Sequence, residues 1–110
     1  MKTYYSIIYY GNNNNERINC GLILFNEEFI FIKLNNAKIL FAKKLLGEAY
    51  WLFKGNLIKM ADYFTANKTT YTEIEKLSRY MNNMTRITTP MIIAINCTHE
   101  NFDKLFDEMI

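Results

Sequence analysis

Cys97-Thr98-His99-Glu100 places a thiol, the single histidine of the chain and a carboxylate in one short run, the composition of a thiolate–imidazole nucleophile. Residues two apart at a strand-to-helix junction project in different directions, however, and a Cys–His couple needs hydrogen-bond reach. The same run reads more simply as a helix start with His99 on the surface. Cys20, Cys97 and His99 lack the fourth ligand and the spacing of a zinc site. The carboxylate pairs Glu27-Glu28 and Asp107-Glu108 are adjacent in sequence, so their members point to different sides of a strand or around a helix and form no acid–base couple. Gly11, Gly21, Gly47 and Gly55 are isolated, with no phosphate-cradling loop among them. The expectation is a protein without catalytic residues, metal or cofactor.

Residue types suited to binding are better represented. In Glu16-Arg17-Ile18-Asn19-Cys20-Gly21, strand alternation would put Arg17, Asn19 and Gly21 on one face, the glycine leaving backbone open to a ligand or partner. The structural reading of the same residues is a Glu16–Arg17 ion pair, an Asn19 bonded to the preceding loop, and a Gly21 that makes room for a large aromatic across the sheet. Net charge is only +2, yet Lys33, Lys38, Lys43, Lys44, Lys54, Lys59 and Lys68 face only Glu48 and Asp62 in the middle of the chain. Glu100, Asp103, Asp107 and Glu108 make the last segment acidic. A basic middle and an acidic tail could steer the molecule onto a charged partner, or could simply keep helix faces soluble. Trp51 stands beside Tyr50, Leu52 and Phe53, so its helix is either buried on two sides or carries an exposed aromatic anchor. Tyr4, Tyr5, Tyr9 and Tyr10 offer an alternative, a sheet on which nucleic-acid bases stack.

These residues need elements to hold them. Thr3 to Tyr10, Ile18 to Phe25 and Phe29 to Leu34 are rich in β-branched and aromatic residues and are separated by Gly11 with four asparagines and by Asn26-Glu27-Glu28, the signals of a three-stranded meander. The apolar content of Thr3–Tyr10 on both faces marks it as central. Asn35-Asn36 can cap a helix over about 37–46, which Gly47 ends. A second helix from Glu48 to Phe64 has the stripe Tyr50, Phe53, Leu57, Met60, Ala61 and Phe64, with Gly55 weakening it or admitting a close neighbour. The spacings Thr70/Glu73 and Thr72/Glu75 start a third helix with the stripe Ile74, Leu77, Met81 and Met84. Pro90 marks the start or edge of a strand over 91–96, and Thr98 caps a last helix with the face Phe102, Leu105, Phe106 and Met109. The order β-β-β-α-α-α-β-α predicts an α+β fold, an antiparallel sheet covered on one face by helices, in a single domain over 1–110.

With the elements in place, the chain resembles an uncharacterised bacterial and phage family known as domain of unknown function thirty-thirty-seven. The resemblance rests on Tyr5-Ser6-Ile7-Ile8-Tyr9-Tyr10, on Glu16-Arg17-x-Asn19-x-Gly21 with the apolar strand after it, and on the closing helix with Leu105-Phe106. It implies the α+β fold and carries no assigned activity. No apolar run approaches the ~20 residues needed to span a bilayer, and the N-terminus lacks a signal-peptide pattern, so a cytoplasmic protein without membrane contact is expected. Two cysteines fit that compartment as buried thiols. The functional expectation is a small non-catalytic protein that docks on a larger protein or ribonucleoprotein, touching nucleic acid at most weakly or indirectly. Its most concrete form is a phage or mobile-element inhibitor of a bacterial defence nuclease, of the anti-CRISPR type. The residues expected at that contact are Asn13, Asn14, Arg17, Asn19, Lys38, Lys43, Lys44 and Trp51.

Overall fold

The structure, a computed structural model, describes residues 1–12, 16–66, 71–80 and 85–110. Its elements run β1 (Thr3–Gly11), β2 (Arg17–Phe25), β3 (Ile30–Leu34), α1 (Asn36–Leu46), a 3₁₀ turn (Gly47–Ala49), α2 (Tyr50–Ala66), α3 (Tyr71–Tyr80), β4 (Thr85–Ile87), β5 (Met91–Ile93) and α4 (His99–Met109). The sheet is antiparallel throughout, in the order β3-β2-β1-β4, with β5 also paired to β1. The α+β architecture and the central place of β1 are therefore as the sequence predicts.

β4 is a strand that periodicity does not announce, because Thr85-Arg86-Ile87 is too short to show alternation. It and β5 act as one interrupted partner of β1. Ile8 faces Ile87 and Tyr10 faces Thr85, then Tyr5 faces Met91 and Thr3 faces Ile93. Thr88-Thr89-Pro90 thus oppose only Ser6-Ile7, a bulge at the one place where proline removes a donor. Thr88 compensates: its N–H donates to the Ile7 carbonyl at 2.9 Å and its hydroxyl accepts from the Ile7 N–H at 2.8 Å.

A second bulge shapes the other side of β1. Ile8 faces Gly21 and Tyr9 faces Asn19, so Cys20 is the extra residue. Its carbonyl accepts the Asn35 N–H at 2.7 Å. Asn35 in turn caps α1, its side chain accepting from the Lys38 N–H. The start of α1 is thereby tied to the bulge. Gly21 lies so close to β3 that a Cβ would come within 2.8 Å of the Lys33 carbonyl and 2.9 Å of Leu34 Cδ2. Close approach of the Lys33 carbonyl and the Leu34 side chain, at the end of β3, is the reason for glycine, rather than the aromatic neighbour or open backbone expected. Gly47 ends α1 at φ 57°, a conformation that favours glycine.

Helices cover both faces of the sheet, not one. α1, α2 and α3 bury Ile39, Ala42, Phe53, Leu57, Phe64 and Ile74 against Ile8, Tyr10, Cys20, Ile23 and Phe25. On the opposite face α4 brings Phe102, Leu105 and Phe106 onto Ile7, Leu22 and Leu24. The reason is in the strands. β1 and β2 are apolar at consecutive positions, so a single helical layer would leave Ile7, Leu22 and Leu24 in water. Thr98 caps α4 as expected, accepting from the Asn101 N–H at 3.2 Å. The expected α3 cap Thr70 and stripe residues Met81 and Met84 lie outside the described residues, while Ile74 is buried as predicted.

The two interior glycines should respond in opposite directions to alanine. Gly21→Ala forces β2 and β3 apart and should cost about 1–3 kcal/mol in urea unfolding. Gly55, inside α2, has open space where a Cβ would stand, so Gly55→Ala should add roughly 0.5–1 kcal/mol from helix propensity alone. An unchanged midpoint for Gly21→Ala would contradict the close approach of β3.

Candidate functional site

The bulge at Cys20 decides where the polar residues of β2 go. Arg17 and Asn19 lie on the side of Tyr9, and the Arg17 guanidinium sits 4.1 Å above the centre of the Tyr9 ring. Its Nε donates to Asn19 Oδ1 at 2.9 Å. Gly21 faces Ile8 and Leu34 in the opposite layer, so the three residues do not share a face as strict alternation would require. Nor does Arg17 pair with Glu16. The Glu16 carboxylate accepts from Asn12 Nδ2 at 3.0 Å, and its N–H donates to Asn12 Oδ1 at 3.1 Å, closing the mouth of the hairpin.

Arg17, Ile18 and Asn19 form one wall of an open groove of about 630 Å³, completed by Ala37, Lys38 and Phe41 from α1 and Met109 from α4. It lies where β2 begins, between the first turns of α1 and the last turn of α4. Three of the expected contact residues, Arg17, Asn19 and Lys38, thus meet in one place although 21 positions separate Arg17 from Lys38. Lys44 is not in the lining, but its ammonium stands 5.9 Å from the ring of Phe41.

The remaining expected residues, Lys43 and Trp51, belong to the corner between α1 and α2. Trp51 is 65% exposed, which overturns burial of α2 on two sides. The Lys43 and Lys54 ammonium groups stand 5.6 and 5.8 Å from its ring. Leu52 is equally exposed, and Leu40, Phe41 and Leu45 project from α1. Phe41 and Met109 line the groove, although motif reasoning passes over the first and assigns the second to the packed face of the last helix. The signal was present: Ile39, Leu40, Phe41, Ala42, Leu45 and Leu46 are spread around α1, and a helix on a sheet buries only one stripe. Asn13 and Asn14 lie outside the described residues.

The tyrosines are committed elsewhere. Tyr10 is buried edge-on against Phe53 at 5.7 Å, and Tyr4 lies between Phe25 at 5.6 Å and Tyr71 at 4.8 Å. With Tyr9 beneath Arg17, the sheet offers no run of free rings for base stacking at these three positions. The thiols are on opposite faces of the sheet and both are free. Cys97 turns toward the Phe29 carbonyl, with Sγ 3.9 Å from the oxygen, and burial raises its pKa. His99 directs Nδ1 to Asp103 Oδ2 at 3.3 Å and its ring against Phe31. The two members of the nucleophile motif therefore have separate partners. Among the described residues no group of three potential metal ligands converges, and no helix is long and apolar enough to cross a membrane.

Comparison of this chain with protein-family models, curated proteins and solved structures gives no match.

Burial pushes the Cys20 thiol up from 9.0 to about 11, against smaller opposing effects of the Tyr10 backbone and the Lys38 charge. The folded protein thus holds this proton more tightly than the unfolded chain does. The stabilisation is complete below pH 9.0 and is lost as pH rises toward about 11. Between about pH 8 and pH 11, wild-type protein should lose more stability than Cys20→Ala in urea unfolding. Parallel declines would contradict a buried, protonated Cys20.

Proposed function

We propose that this protein is a small non-catalytic binding protein that docks on a larger protein or ribonucleoprotein through the outward side of α1 and α2. The observation that carries the reading is Trp51, held in the open between Lys43 and Lys54. A solvent-facing tryptophan beside exposed Leu52, Leu40 and Phe41 loses apolar surface to water in the free protein and regains it when covered. Tryptophan ringed by cations is also the composition of an interface centre, with lysines at the rim to select an acidic partner. Lys38, Lys43, Lys44, Lys54 and Lys59 lie on these two helices, opposed by Glu48 in the turn and Asp62 in α2. The aliphatic neighbours favour protein side chains over bases, since leucine offers no ring for stacking.

Within this reading the narrower proposal is inhibition of a bacterial defence nuclease, of the anti-CRISPR type. Size, the basic helical face and the absence of a catalytic constellation in the sequence support it, and it requires the captured partner to be a nuclease whose cleavage the protein blocks.

Tagged protein should retain one stoichiometric partner from nuclease-treated host lysate. The double substitution Lys43→Glu/Lys44→Glu should reduce capture at least tenfold, and Trp51→Ala should weaken binding by about 2 kcal/mol or more. All three positions are exposed, so stability should stay within about 0.5 kcal/mol of wild type. Capture that disappears on nuclease treatment would overturn protein docking in favour of nucleic-acid binding.

A further inference from the structure

The groove beside Arg17 has a chemistry of its own, set by hydrogen-bond capacity. Asn19 Oδ1 already accepts from Arg17 Nε. Among the described residues the polar side chains of the groove then offer the Asn19 amide NH₂, the two terminal Arg17 nitrogens and the Lys38 ammonium as donors, against one remaining lone pair on Asn19 Oδ1. Among the described residues no carboxylate lines the groove, and neither Arg17 nor Lys38 forms a salt bridge. The guanidinium lies over the Tyr9 ring and its Nε donates to Asn19, two contacts that favour this placement. Ile18, Phe41 and Met109 supply the apolar remainder of the wall.

We propose that this groove is a binding site for an aspartate or glutamate side chain of a partner protein, flanked by an apolar residue that packs on Phe41 and Met109. A carboxylate is a planar acceptor with no donor. Its two oxygens match the paired terminal nitrogens of a guanidinium whose Nε is engaged, and Lys38 and Asn19 add charge and a third bond. An uncharged amide would bring N–H groups into a groove whose described side chains are mainly donors, and it would form no charge-assisted bond. The inference rests on the docking reading and deepens it: the partner ridge that covers Trp51 extends past Lys44 and Phe41 and places an acidic residue beside Arg17.

The test uses the full ¹⁵N-labelled chain and N-acetyl-glutamyl-leucine amide, with the glutaminyl analogue and inorganic phosphate as controls. Saturable shifts should appear at the Arg17 Nε–H, the Asn19 side-chain amide and the Lys38 amide. The glutaminyl peptide should bind at least about tenfold more weakly, because it lacks the charge-assisted bonds. Arg17→Lys keeps the charge and loses the fork, and should weaken the glutamyl peptide by a similar factor. Lys38→Gln is an exposed change that leaves the fold intact and should also weaken it. Equal binding of the two peptides, phosphate binding tighter than the glutamyl peptide, or no saturable shift would each overturn the assignment. In the capture experiment, partner retained by Lys38→Gln and Arg17→Lys but lost in Lys43→Glu/Lys44→Glu overturns the groove alone. Loss of capture from all variants and wild type overturns docking, while the peptide titration still reports on the groove.

Discussion

One extra residue in β2 governs the geometry of this molecule. Without Cys20 the β1–β2 ladder would run unbroken, and the polar residues at its mouth would alternate with the apolar ones behind them. With it, Cys20 and Gly21 both turn toward the layer of α1 and α2, while Arg17 and Asn19 stay with Tyr9. The bulged carbonyl then takes the N–H of Asn35 and sets the position from which α1 leaves the sheet. A bulge re-aims side chains and bends its strand, and here it does so where three elements converge. The groove exists because the starts of β2 and α1 and the end of α4 lie near one another at this point.

The packing also explains why so much apolar surface remains outside. β1 and β2 are buried on both faces and use α4 on one and three helices on the other. Each helix can bury only one stripe against so narrow a sheet, and α1 and α2 carry more large apolar residues than a stripe accommodates. Ile39, Ala42, Phe53 and Leu57 satisfy the core, and Leu40, Phe41, Trp51 and Leu52 are surplus to it. Lysines beside those surplus rings keep the surface hydrated and bias it toward anionic partners. Stability and the proposed docking thus draw on different faces of the same two helices.

Most of the fold is legible in the sequence, because long apolar alternation, Asn35 and Thr98 caps and the stripe from Tyr50 to Phe64 all act locally. What escapes local reading is set by non-local contact. β4 is three residues long and is a strand only because Ile8 to Tyr10 await a partner. The second helical layer follows from the two-sided apolarity of β1 and β2, a pattern that marks a central strand and equally demands cover on both faces. The candidate site is half legible. Residue types picked out Arg17, Asn19, Lys38, Lys43, Lys44 and Trp51, but alternation assigned Gly21 to their face, since no local signal announces a bulge at Cys20. Phe41 and Met109 join the groove through tertiary packing alone.

The register of the β1–β2 ladder is the feature to measure. Cross-strand nuclear Overhauser effects in the full-length protein should pair Ile8 with Gly21 and Tyr9 with Asn19, and the Arg17 side-chain protons should be shifted upfield by the Tyr9 ring. Pairing of Tyr9 with Cys20 and Tyr10 with Asn19, with an unshifted Arg17, would show an unbroken ladder and would contradict both the placement of α1 and the groove built on it.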